Sequence, residues 1–454
     1  MLSSFPMSGE TTPSDKLAQL RARVDSAATP GERVEATLQL AEALWLSDPV
    51  AARPLLEQVL TEADAAGRIK DKGRAAYMLG ELLRRSGDLD GATRCADIVF
   101  GVADATGDGR TRARGLNLVG TIHSGRGEYR SALEFFEEYL RISREIGFGK
   151  GERSALNQLA CVQALRGDLG GALEYYRQVL EANAKAGDAH GRATSLYNIG
   201  WTLSAMGHWT EAIENLHRSI ALCEEHGFSD PLAAARMTLG ELSRKRSAHD
   251  DAAFMFRAVI ETERQNRRSG GAYRGALTNL GLTHFHKGDL AQAEKTLSEA
   301  GRLYEVAEDR RGLAALCYLR AEVALARGWL DAAGDLLAQA ERLATDLNLT
   351  REQGEILRVQ ALLSAARGDP AKALDLFVRS ETKLESLGDT YELALARLQH
   401  GRELLDENRS EEALPKLEAA AQTFRRLAVV AEAEEATVLL YRLEMSTDRT
   451  AALL

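Results

Sequence analysis

The chain has 454 residues, 45% of them hydrophobic and 27% charged, which excludes a largely disordered chain and exceeds what one compact core holds. A formal net charge of -10 removes the broad attraction on which nucleic-acid binding rests, so DNA and RNA are set aside as partners. The four cysteines, Cys95, Cys161, Cys223 and Cys317, are scattered with no CxxC, which argues against a disulfide framework or zinc cluster and for small buried residues in a reducing cytoplasm.

In chain order, residues 1–14 carry Pro6, Pro13 and several Ser and Thr, with neither a basic start nor an apolar run. They read as a flexible tail and not a secretory signal. No later stretch is apolar and uncharged for long enough to span a membrane. Abundant Ala, Leu, Glu and Arg beside only 8 Pro predict helix throughout. The first hairpin, LQLAEALWLSDPVAARPLLEQVL, has a shortened turn where Ser47 or Asp48 caps the second helix and Pro49 suits its first turn.

Beyond it a repeat sets the organisation. Gly87, Gly127, Gly167 and Gly207 stand 40 residues apart, as do Gly288, Gly328 and Gly368. The wider gap between the two sets hides a divergent repeat with Ser247 at the turn, and a last repeat places Asn408 there. Five residues after each turn comes alanine: Ala92, Ala132, Ala172, Ala212, Ala252, Ala293, Ala333, Ala373 and Ala413. Seven residues before it comes another small residue, from Gly80, Gly120 and Ala160 through to Gly401. The pattern predicts a helix A, a short turn, a helix B and a loop. Small residues facing each other let the two axes approach to the close end of the usual ~8–10 Å. After the last repeat, residues 431–446 read as one amphipathic helix covering the exposed end, which a stack of repeats requires, and 447–454 as a tail. No further domain follows in this sequence, which fits either a complete adaptor or the sensory portion of a longer signalling protein.

Small residue, turn glycine and alanine, flanked by Leu or an aromatic residue, resemble the tetratricopeptide repeat over about residues 30–430. Two features depart from its shortest form. The period is 40 rather than about 34, and the proline that closes helix B is missing, helix B running instead into loops such as ATGDG and IGFGKG. This longer form is similar to repeats of bacterial signalling regulators, peptide-sensing regulators and animal cell-polarity adaptors. The resemblance implies an all-α fold: a right-handed superhelical solenoid of about ten helix-turn-helix repeats over 15–430, closed by a capping helix. It also implies a concave side lined by the A helices.

A search for chemistry returns nothing. GFGKGERS (147–154) lacks the GxxxxGK[ST] spacing and follows a helix, so it is a linker. His284 and His286 sit two apart on a helix and point to different sides, which suits no metal. Acidic pairs such as Glu137–Glu138 are solvated helix faces, and no GxSxG or HExxH occurs. No catalytic residue, cofactor or metal is expected.

Binding residues are sought on helix A six and three places before its small residue, and one, four and five after it. Asn117, Asn157, Asn198 and Asn279 form a near-regular ladder whose amides can donate to and accept from a peptide backbone. Arg74, Arg84 and Arg114 are candidate carboxylate clamps, and Tyr77, Tyr197, Trp201 and Phe285 apolar anchors. Glu241, Lys245, His286, Tyr318 and Glu322 share the register, whereas Trp209 is assigned to the core. The expected function is that of a non-catalytic scaffold or regulatory domain holding a protein or peptide segment in its concave groove. The alternative is a sensor of a small signalling peptide or metabolite. An imperfect cap leaves room for a homodimer paired end to end.

Overall fold

The computed structural model describes residues 13–45, 47–266, 270–388 and 390–453, with side chains from 15 to 445. Every described element is an α-helix. The chain divides into two compact units, residues 1–187 and 188–454. The first holds α1 (Pro13–Asp25), α2 (Pro30–Leu44), α3 (Pro49–Glu62), α4 (Ile69–Arg85), α5 (Leu89–Thr106), α6 (Gly109–Gly125), α7 (Tyr129–Glu145), α8 (Gly149–Leu165) and α9 (Leu169–Lys185). The second begins with α10 (Ala189–Ala205), α11 (Trp209–His226), α12 (Ser229–Lys245), α13 (His249–Gln265), α14 (Gly271–His286) and α15 (Leu290–Val306). It continues with α16 (Arg310–Ala326), α17 (Leu330–Asp346), α18 (Thr350–Ala366), α19 (Pro370–Glu385), α20 (Tyr391–Asp406), α21 (Ser410–Arg426) and α22 (Val430–Leu453).

Within each unit consecutive helices pack as hairpins and each hairpin packs on the next. The hairpins run from α2–α3 to α20–α21, flanked by α1 and α22. Helix α1 falls almost wholly within the span expected to be helical, but ahead of the repeat columns. Its Leu17, Leu20 and Val24 pack on the first core cluster, so a helix precedes the irregular first hairpin. Of the tail expected over 1–14, residues 1–12 lie outside the described residues and Pro13 and Ser14 open α1. At the other end α22 packs on α21 as the expected cap, but it runs past 446 to Leu453.

Turn chemistry explains the regularity. Residues at the A-to-B turns have left-handed backbones, from Gly87 (φ 85°) through Ser247 (φ 63°) to Asn408 (φ 61°). So do those of the intervening loops, among them Gly107, Gly147, Gly187, Glu308, Asn348 and Ala428. Among the described residues a left-handed residue recurs every half-repeat from Gly67 to Ser247 and from Gly288 to Ala428, and separates helices of 17 residues, such as α6 to α10. In the recurrent Gly-Asp-Leu the aspartate caps helix B. Asp88 accepts the Gly91 N–H at 2.8 Å and Asp168 that of Gly171 at 2.9 Å, satisfying donors the helix start leaves orphaned. In the first hairpin Asp48, and not Ser47, is the cap, accepting the Ala51 N–H at 3.0 Å.

The alanine column is fully buried, with Ala92, Ala132, Ala172, Ala212, Ala252, Ala293, Ala333, Ala373 and Ala413 all 0% exposed. Opposite stand the small residues of helix A. A Cβ on Gly120 would sit 2.6 Å from the Phe136 ring, and one on Gly240 2.7 Å from that of Phe256. Each large residue lies one helical turn after its alanine, so one small and one bulky residue interlock per hairpin. The periodicity runs straight through Gly187, where the two units divide, so nothing in the repeat pattern marks that boundary.

Candidate functional site

The predicted binding residues divide between the two units: Arg74, Tyr77, Arg84, Arg114, Asn117 and Asn157 in the first, and Tyr197, Asn198, Trp201, Asn279 and Phe285 in the second. In the first unit several are engaged with neighbouring repeats. Asn117 is 6% exposed, and its Nδ2 donates to the Tyr77 hydroxyl, one repeat away, at 3.2 Å. Burial first, then Glu81, pushes the Tyr77 hydroxyl up to about 12, so it remains a neutral partner. Arg84 pairs with Glu81 at 3.1 Å, and Arg74 pairs with Glu42 and lies 3.6 Å from Asp71. Asn157 donates to the Cys161 thiol at 3.9 Å, while Arg114 is half-buried near Tyr77 and Tyr139. The amide ladder thus begins as bracing between adjacent A helices. In the second unit Asn279 does likewise, donating to Glu241 and to the Gly275 carbonyl, both at 3.2 Å. The Asn198 carbonyl accepts from the Thr202 hydroxyl, and Tyr197 is half-buried.

The second unit curves tightly enough for distant repeats to touch. Lys245 of α12 donates to Glu392 of α20 at 2.8 Å, and its ammonium lies 4.9 Å from the Tyr391 ring and 5.9 Å from that of Trp209. Arg246 donates to the Ala428 carbonyl at 3.3 Å. Burial pushes Glu392 up, but Lys245 and then Arg351 outweigh it and hold the carboxyl at about 2. Trp209, assigned to the core from sequence, is indeed 5% exposed, yet it also forms part of this crossing.

Tyr391 lines two cavities. One, of about 190 Å³, is lined by Trp201, Trp209, Glu241, Lys245, Arg351 and Glu392 among others. The larger, of about 380 Å³, lies among α14, α16, α18, α20 and α22. Of the predicted anchors, Trp201, 43% exposed, faces the first, and half-buried Phe285 the second. Beside them Arg358 is 2% exposed and donates to Glu322 at 2.6 Å, Glu355 at 2.8 Å and Gln399 at 3.1 Å. Burial opposes its charge, but Glu322 and Glu355 outweigh that and raise its pKa. Arg358 and Glu355 stand three and six places before Ala361, in the register already used for earlier repeats, and extending that count would have found them. Tyr391, Glu392 and Glu432 lie outside the register, and no local pattern points to them.

Comparisons with known proteins agree with this architecture. The tetratricopeptide repeat family model matches residues 151–225. No curated protein sequence matches. Among solved structures, the apo form of RapI aligns over 78% of this chain and 98% of its own, with TM-score 0.60 and 12% identity. A Rap protein complexed with competence and sporulation factor aligns over 84% of this chain and 99% of its own, with TM-score 0.53 and 13% identity. A signal transduction ATPase with a tetratricopeptide repeat sensor, from Pyrococcus horikoshii, aligns over 65% of this chain and 45% of its own, with TM-score 0.51 and 15% identity. The fold is that of a tetratricopeptide-type helical solenoid, similar in sequence to that repeat over residues 151–225.

Proposed function

We propose that this chain is a non-catalytic regulatory repeat protein that holds a protein or peptide segment against the A helices of residues 188–454. The observation that carries this reading is the convergence of side chains from successive repeats on the paired cavities beside Tyr391, where an aromatic anchor stands next to hydrogen-bonding groups. Several of the charged groups there are engaged with one another, as in the Arg358 and Lys245 pairs, which suits recognition better than proton transfer. The Rap protein complexed with competence and sporulation factor has a similar fold and supports a ligand of that general kind. The Lys245–Glu392 crossing and the modest cavity volumes favour a short segment over a folded partner.

No described helix is long and apolar enough to cross a membrane. Free cysteines, three of them buried, support a reducing, cytoplasmic setting. Selection of a displayed random-peptide library on the purified protein tests the reading. Sequences enriched by the wild type and lost on Leu362→Trp, which fills the larger cavity, support it, with circular dichroism checking that the variant folds. Enriched sequences that bind the folded variant equally well place the binding face elsewhere.

A further inference from the structure

The larger cavity has two chemically distinct walls. Phe285, Leu325, Leu362 and Leu395 make one apolar, whereas Glu322 and Glu432 face the same space. The carboxylates here are incompletely matched. Glu322 and Glu355 share the single guanidinium of Arg358. Glu432 accepts the Tyr391 hydroxyl on Oε1 at 2.7 Å, while its Oε2 is buried with no hydrogen-bond partner, as is Oε1 of Glu355. Arg244, the other guanidinium acting on Tyr391, keeps its own Nε buried and without a partner. Three carboxyl groups thus face two guanidiniums, with burial pushing that of Glu355 up and leaving Glu322 and Glu432 to line the cavity. His286 adds no positive charge, because the protein around it first, and Arg244 next, push its pKa down to about 3. A buried carboxylate oxygen left without a donor is unfavourable, and a ligand that donates to that carboxylate recovers part of the loss.

We propose that this cavity receives a primary ammonium group carried on an apolar residue, the ammonium donating to Glu432 with Glu322 across the same space and the apolar part lying against Phe285, Leu362 and Leu395. The inference rests on the peptide-binding reading and names the chemistry of the residue that enters. Two sources offer that chemistry, the amino terminus of a short peptide and a lysine side chain. Both place a cation at the end of an apolar body, and both bind better as the charge is desolvated beside a carboxylate.

Calorimetric titration of the full chain with leucinamide, N-acetylleucinamide and Nα-acetyllysinamide tests it. Leucinamide or Nα-acetyllysinamide binds, N-acetylleucinamide binds at least about tenfold more weakly, and whichever amine binds more tightly identifies the source. Glu432→Gln lowers the affinity of the bound amine by about tenfold or more, and Leu362→Trp, which leaves every charge in place, abolishes it. Binding of neither amine, equal binding of the acetylated neutral compound, or unchanged affinity in folded Glu432→Gln overturns the proposal. Failure with these probes, alongside displayed peptides that still depend on Leu362, would reject the ammonium and leave the peptide-binding reading standing.

Discussion

Lys245 and Glu392 are 147 residues apart in sequence, yet they form a 2.8 Å ion pair within the second unit. Both side chains are about four-fifths buried, and the Lys245 ammonium also lies over Tyr391. The pair ties α12 to α20, four hairpins further on, beside the smaller cavity that both residues line, and so restrains how far that curve opens.

Glu392→Gln tests the strength of this tie. The folded carboxyl sits at about 2, below the ordinary value near about 4.3, so its contribution is fully present above that ordinary value. It is lost as pH falls through about 2. At neutral pH the variant is expected to lose about 2 kcal/mol, after discounting the shift for partial exposure. The gap from the wild type should close between about pH 4.3 and 2. Urea unfolding followed by circular dichroism across this range measures it.

Arg358→Met removes a buried cation from between two carboxylates. The expected cost is about 3–5 kcal/mol, because Glu322 and Glu355 are left buried without their partner. Adding Glu322→Gln and Glu355→Gln to the same variant should restore much of that loss. Unfolding midpoints of the single and triple variants decide the matter, and equal midpoints would contradict this account of the network.

Glycine-to-alanine changes should have opposite signs at two helical sites. At Gly240 the new methyl would lie 2.7 Å from the Phe256 ring, and overpacking of this kind costs about 1–3 kcal/mol. At Gly101, in the middle of α5, nothing lies within 4 Å, so alanine gains about 0.5–1 kcal/mol of helix propensity. Differential scanning calorimetry should show the first variant melting lower than the wild type and the second higher.

Glu308 occupies a left-handed turn position with φ 52°, where most other repeats use glycine. Glu308→Gly should relieve about 1 kcal/mol of backbone strain, reduced by the greater freedom of glycine in the unfolded chain. The reverse change, Gly328→Ala at φ 75°, should destabilise by a similar amount although no atom lies within 4 Å of the added methyl. A matched pair of thermal melts distinguishes this conformational effect from one of contact.

Much of the hairpin was legible because its determinants are local. Gly87 turns the chain, Asp88 caps the next helix, and Ala92 lies one turn further along it, all within a few residues. The same register identified Trp201 and Phe285, which do face the cavities. It also led to Asn117, and to Asn279 one place off the register, whose amides brace neighbouring repeats, since a shared helix face serves both packing and exposure. Helix α1 was covered by the general expectation of helix but not by the repeat register, because it lies before the repeat and has no partner column to mark it.

By itself, then, the amino-acid order determined the helices, their turns and the interlocking of small with bulky residues, since each depends on neighbours within one repeat. Only the tertiary structure decided that Lys245 meets Glu392, that Arg358 is enclosed by Glu322 and Glu355, and that Glu432 closes a cavity with Phe285. Those meetings follow from small rotations accumulated between successive hairpins, a quantity that no single motif records.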